Sequence, residues 1–199
     1  MRALRGYAHN RGTAARNLAV MRITADSGPG GASAAYSTAV LSIGSNLGDR
    51  LGHLQLTVAG LGDYVAGPGA VSAVYETAPW GGVEQPAYLN AVVIVTGERS
   101  PAQWLEVAHI LEQAVGRTRD VPWGARTLDV DIIVVDSVRS DEPTLTLPHP
   151  HAHERAFVLV PWLDVDPDAT LPGYGRVVDL LSTMDTAGVV RWGNLEFPQ

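Results

Sequence analysis

The segment Thr127-Leu128-Asp129-Val130-Asp131-Ile132-Ile133-Val134-Val135 places the tightest constraint on the fold. Its β-branched, apolar composition fits a strand, and a strand puts every second side chain on one face. Asp129 and Asp131 therefore share a face with Thr127, while Leu128, Val130 and Ile132 point the other way into a core. Two adjacent carboxylates repel each other unless a cation lies between them. Hard oxygen donors suit Mg²⁺, which takes one or two carboxylates together with phosphates and water. The pair fits two metal ions held on a nucleotide triphosphate, with Arg126 one residue ahead for a phosphate oxygen. Taken alone, the same pattern equally describes a half-exposed strand whose outer face is acidic.

The remaining periodicity supplies partners for that strand. Ala39 to Ile43 forms an apolar strand, and Gly44 to Asp49 turns the chain. Leu51, Leu54, Val58 and Leu61 recur at helical spacing, predicting a helix over 49–61. Strands follow at Val71 to Tyr75 and Tyr88 to Thr96, separated by a Pro- and Gly-rich loop over 77–87. Ser100-Pro101 opens a second helix as N-cap and first helical residue, and Gly116 closes it. Arg117 to Ala125 is a polar loop, and strand 127–135 comes next. Short helices are predicted around 154–163 and 177–182. The order β-α-β-β-α-β predicts an α+β fold, a ferredoxin-like βαββαβ sandwich with extra C-terminal helices.

Composition narrows the chemistry. The chain has no cysteine, which excludes disulfides, thiolate metal sites and a cysteine nucleophile. All 14 basic residues are arginine, which excludes a Walker A lysine and a Schiff base. Phosphate chemistry must then run on Arg, His, backbone N–H groups and metal ions. The net charge of −7 argues against a non-specific nucleic-acid binder. No run of 18 apolar residues exists, so no membrane span is expected and a cytoplasmic location is. Residues 1–37 stand apart: Arg2, Arg5, Arg11, Arg16 and Arg22 precede the first acid, Asp26, and a small-residue stretch follows. A transit peptide is weighed against a disordered extension, or a start upstream of the true one at Met21. The weak apolar periodicity favours the extension. Residues 38–199 are the expected domain.

Five ordered stretches then resemble a known family, 6-hydroxymethyl-7,8-dihydropterin pyrophosphokinase. They are Ile43-Gly44-Ser45-Asn46-Leu47-Gly48, Tyr75-Glu76-Thr77-Ala78-Pro79, Pro86-Ala87-Tyr88-Leu89-Asn90-Ala91, Trp123 to Ile133, and Leu147-Pro148-His149 with Arg155-Ala156-Phe157. The resemblance implies Mg²⁺-dependent transfer of a diphosphate from ATP to the pterin hydroxymethyl oxygen in folate biosynthesis, with AMP leaving. It implies that Asp129 and Asp131 hold two Mg²⁺ ions and that Arg117 and Arg126 act on the phosphates. Glu112, Arg119, His149 and Arg155 are implied on ATP, with His109 beside Glu112 on one helix face. Thr77, Trp80, Tyr88, Asn90, Trp123 and Phe157 are implied around the pterin. Trp80 and Thr144 depart from the pattern, where relatives carry an aliphatic residue and an additional arginine. Small-molecule substrates, a monomer and no nucleic acid are expected.

Three other readings compete. His149, His151 and His153 alternate as zinc ligands would, although Pro148 and Pro150 disturb the geometry. A ferredoxin-like module that binds RNA would need exposed aromatics and a basic face, where this chain has two aspartates. An inactive pterin or nucleotide sensor would have lost the aspartate pair or the loop arginines, and both are present.

Overall fold

The computed structural model describes residues 35–79, 85–116 and 126–197. The elements are β1 (Tyr36–Ser45), α1 (Arg50–Leu61), β2 (Ala70–Val71), β3 (Ala73–Thr77), β4 (Tyr88–Glu98), α2 (Pro101–Ala114) and β5 (Asp129–Val135). They continue with β6 (Ser140–Glu142), β7 (Leu145–Leu147), a 3₁₀ turn (Ala152–Glu154), α3 (Ala156–Val165), β8 (Thr170–Leu171), β9 (Gly175–Arg176), α4 (Val177–Leu181) and β10 (Val190–Asn194). Strands β10-β3-β4-β1-β5 form one sheet in that order, with β2 also on β4. Every pairing in it is antiparallel.

Strand β1 is central because it is apolar on both faces. Ala39, Leu41 and Ile43 face one way and pack with Leu54 and Val58 of α1 and with Trp104, Val107 and Leu111 of α2. Val40 faces the other way, with Val92, Ile133 and Val134, against Val158, Leu159 and Trp162 of α3. Burying these side chains is the main favourable term, at roughly 1.5–3 kcal/mol each.

Local chemistry fixes the helix ends. Asp49 caps α1 through Gly52 N. Ser100 and Gln103 form a reciprocal capping box on α2, with Pro101 behind the cap. Past α2, Gly116 takes φ +78°, a left-handed conformation suited to glycine.

The sequence expectations hold in outline and shift in detail. Strand β1 begins at Tyr36, ahead of the expected domain start at residue 38. Ser37 is already tied in: its Oγ accepts from Trp104 Nε1 at 2.9 Å and donates to Arg99 O at 2.6 Å. The expected strand 71–75 is broken at Ser72. That residue's N–H still donates to Val92 O at 3.0 Å, but its Oγ rather than its carbonyl accepts from Val92 N, and the hydroxyl donates to Ala73 O. Thr127 and Leu128 precede β5 rather than starting it. Strand β10 and the hairpin β6–β7 were not expected. The disordered extension expected over 1–37 lies, for residues 1–34, outside the described residues.

Candidate active site

Register places the acidic pair. Gly44 of β1 lies between Asn90 of β4 and Asp129 of β5, and Ser42 lies between Val92 and Asp131. Asp129, Gly44 and Asn90 therefore form one row across three strands, and Asp131 and Ser42 stand in the next. This face is covered by α3 at one end only. Where α3 stops, the small side chains of Ser42 and Gly44 leave a floor, and a cavity of about 260 Å³ opens over it. Its walls are Thr77, Ala78, Gln85, Tyr88, Asn90, Arg126, Asp129, Asp131, Arg155 and Phe157. A second cavity of about 340 Å³ lies alongside, lined among others by Leu105, His109, Glu112, Thr144, Thr146 and His149. Arg126, Asp129 and Asp131 line both.

The carboxylates are held by cations. Arg126 Nη1 donates to Asp129 Oδ1. Arg155 Nη1 donates to Asp131 Oδ2 at 2.9 Å, and His149 Nε2 lies 3.7 Å from that oxygen. Arg155 is buried. It sits there because it is the N-cap residue of α3, with its guanidinium 5.6 Å from the Phe157 ring centroid. His149 follows a cis Leu147–Pro148 bond and is pinned to β5 by its N–H, which donates to Ile133 O at 2.9 Å. Burial, then the charge of Arg155, pushes the His149 ring down to about 4, so it is neutral at neutral pH.

In the first cavity Asn90 is buried, and its Nδ2 donates to Thr77 Oγ1 at 2.8 Å. That bond fixes the amide's orientation. A Cβ on Gly44 would lie 2.8 Å from Asn90 Oδ1, so the amide takes this place because residue 44 has no side chain. Tyr88 and Phe157 are half-buried on the cavity wall.

Most of the expected site residues therefore meet. Arg126, Asp129, Asp131, Arg155, Thr77, Tyr88, Asn90 and Phe157 share the first cavity, and Glu112 and His149 line the second. Arg117, Arg119, Trp80 and Trp123 lie outside the described residues. Glu112 departs from a simple ligand-facing side chain: it is buried, and its Oε1 accepts from Val130 N at 3.0 Å. His109 is half-buried at the wall of the second cavity. The zinc alternative fails. The His149 and His151 rings are 6.3 Å apart, and His153 stacks on Tyr174. Among the described residues no three His, Asp or Glu side chains could share a metal ion. Ser42, Gly44 and Gln85 were missed as lining residues. Alternation puts Ser42 and Gly44 on one face of β1, but it is the register with β4 and β5 that brings that face to the site.

The cleft sets paired carboxylates and two arginines beside an aromatic-walled cavity, the lining of a class of proteins that bind small polar ligands in a partly apolar pocket. Residues 40–167 match the family described as 7,8-dihydro-6-hydroxymethylpterin-pyrophosphokinase (HPPK). The chain belongs to that family. The 2-amino-4-hydroxy-6-hydroxymethyldihydropteridine pyrophosphokinase of Mycobacterium leprae (strain TN) is 56% identical over 148 residues, 69% of this chain and 76% of the relative. That of Mycobacterium bovis is 48% identical over 161 residues, 74% of this chain and 84% of the relative. That of Methylorubrum extorquens is 39% identical over 157 residues, 77% of this chain and 97% of the relative. Among solved structures, wild-type Plasmodium falciparum HPPK-DHPS superposes with a TM-score of 0.58 at 13% identity, over 74% of this chain and 43% of that one. This chain thus spans less than half of that protein, and the likeness is one of fold.

Proposed function

We infer that this chain transfers a diphosphate from ATP to the hydroxymethyl group of 6-hydroxymethyl-7,8-dihydropterin, giving the pterin diphosphate and AMP in folate biosynthesis. The observation that carries this, beyond family membership, is the wall of Arg126, Asp129 and Asp131 common to both cavities. A group passing from one ligand to the other would cross that wall.

Asp129 and Asp131 fit Mg²⁺. They are hard oxygen donors on one strand face, with side chains 26% and 30% exposed, and no third acidic or imidazole ligand accompanies them among the described residues. The remaining positions would go to phosphate oxygens and water, as is usual for this ion. Two bound Mg²⁺ ions supply charge neutralisation on the triphosphate and polarisation of the phosphorus under attack. The chain's own groups do the rest. Arg126 and Arg155 hold the carboxylates in place and bring planar guanidinium donors to phosphate oxygens. His149, uncharged, contributes a hydrogen bond rather than a charge. Tyr88 and Phe157 offer faces to the flat ring, and the fixed amide of Asn90 offers both a donor and an acceptor to its edge. Backbone groups of Thr77 would complete that side. Glu112 lines the ATP-side cavity while bracing β5. Arg117 is read as catalytic and Arg119 as ATP-binding, Trp80 as completing the pterin pocket through its backbone groups, and Trp123 as covering the site. Catalysis would rest on positioning and preorganised charge.

The finer architecture is read as ferredoxin-like, supported by the strand order β3-β4-β1-β5 with α1 and α2 on one face. Residues 38–199, with β1 extending the unit back to Tyr36, are read as the pyrophosphokinase domain, monomeric and cytoplasmic. The test is AMP release from ATP and Mg²⁺ with and without 6-hydroxymethyl-7,8-dihydropterin. Pterin-dependent AMP is expected. ADP would contradict the site of attack, and ligand binding without turnover would favour the sensor.

A further inference from the structure

Asn46 has no place in the roles above, yet it is 2% exposed and every polar group of its side chain is engaged. It follows β1 directly. Its backbone N–H donates to Arg126 O at 3.1 Å, and its Oδ1 accepts from Arg126 N at 2.7 Å. The amide thus imitates a strand partner and closes a two-bond ring on Arg126. From its other end, Nδ2 donates to Gln85 Oε1 at 3.1 Å and to Pro86 O at 3.2 Å. One side chain therefore ties together two segments that are far apart in sequence. One carries Gln85 and, two residues beyond Pro86, Tyr88 in the wall of the first cavity. The other carries Arg126 and leads into Asp129 and Asp131.

We propose that Asn46 is a positioning residue that locks the pterin-side wall to the arginine and carboxylates of the phosphate-side strand. The proposal rests on the functional reading above. An amide carries its acceptor and its donors on separate atoms, so it can accept from a backbone N–H on one side and donate to two oxygens on the other. Aspartate at this position keeps the acceptor facing Arg126 but sets a second oxygen against Pro86 O, so it opens the pterin-side half alone. Alanine opens both halves.

The test is calorimetric binding of 6-hydroxymethylpterin and of ATP, with turnover read in parallel as AMP release, on the full chain. Asn46→Asp is expected to weaken the pterin about tenfold and ATP by less than about twofold. Asn46→Ala is expected to lower kcat about a hundredfold as well, since small misplacement of reacting groups is costly. Gln85→Leu should weaken the pterin about as much as Asn46→Asp, and combining the two should cost less than the product of the single effects. This pair keeps the test intact if Asn46→Ala fails to fold. Affinities unchanged in Asn46→Asp, equal losses for both ligands, or full additivity with Gln85→Leu would each overturn the proposal. A wild type that binds both ligands but releases no AMP would defeat the functional reading alone, since the binding comparison still decides the role of Asn46. One that binds neither overturns both.

Discussion

At the scale of single residues, the site turns on who faces whom. Asp131 receives Arg155 and neighbours His149, so Asp131→Ala removes a proposed metal ligand and a partner of a buried guanidinium. Its side chain is 30% exposed, so the fold should survive, as far-UV circular dichroism would show. Steady-state AMP release should fall more than about a hundredfold; activity near wild type would refute the metal assignment. Gly44→Ala sets a methyl 2.8 Å from Asn90 Oδ1 and must displace that amide. KM for the pterin should rise several-fold with KM for ATP unchanged, checked by initial rates under saturation of the other substrate. These two residues also mark what could be read from the chain alone. Asp129 and Asp131 were legible because strand alternation is local. Ser42 and Gly44 were not, because their place in the site depends on register with β4 and β5, which only pairing between distant segments decides.

Whole elements carry the next layer. Helix α2 does more than cover the sheet: Glu112 reaches across to the N–H of Val130, between the two aspartates. Glu112→Ala would leave that buried donor without its partner, at a cost of about 1–3 kcal/mol. The expected result is a lower Tm together with reduced turnover, and thermal denaturation followed by AMP release separates the two effects. The helices α1 and α2 were foreseen because their signals are short-range: an Asp or Ser cap, a proline, an apolar stripe. Strand β10 was not. Val190 to Asn194 shows no clean alternation, and it becomes a strand only by pairing with β3 more than a hundred residues earlier. Ser72 escaped notice for a related reason, since its hydroxyl takes the place of its carbonyl as acceptor only when β4 lies beside it.

Across the molecule, stability should depend on pH through two imidazoles, His53 buried and His149 half-buried. His53 is lowered from its ordinary value by burial, and His149 is pushed down to about 4. The unfolded chain takes up these protons near pH 6.5 while the folded chain resists them, so stability falls as pH drops below about 6.5. For His149 the loss ends near pH 4 and amounts to about 3 kcal/mol at most. Urea denaturation at pH 7 and pH 5 should show the decline, and His53→Gln with His149→Gln should flatten it; an unchanged slope would contradict the lowered pKa of both rings. Removing residues 190–197 should lower Tm and promote association. It strips β10 from β3 and takes the buried Leu195 from the core, leaving an open sheet edge. Light scattering alongside a thermal melt checks both.

Strand β1 is hydrogen-bonded along both sides, to β4 and to β5, and its ten residues include no charge. Its faces are assigned by count: odd positions from Ala39 to Ile43 fill the core, and even ones make the cavity floor at Ser42 and Gly44. A codon gained or lost within 41–45 would therefore push Leu41 or Ile43 onto the floor of the cleft and small residues into the core, on two seams at once. In a saturation library that includes indels, this stretch should tolerate conservative replacement far better than any change of length. The turn over 137–139 should show the opposite bias.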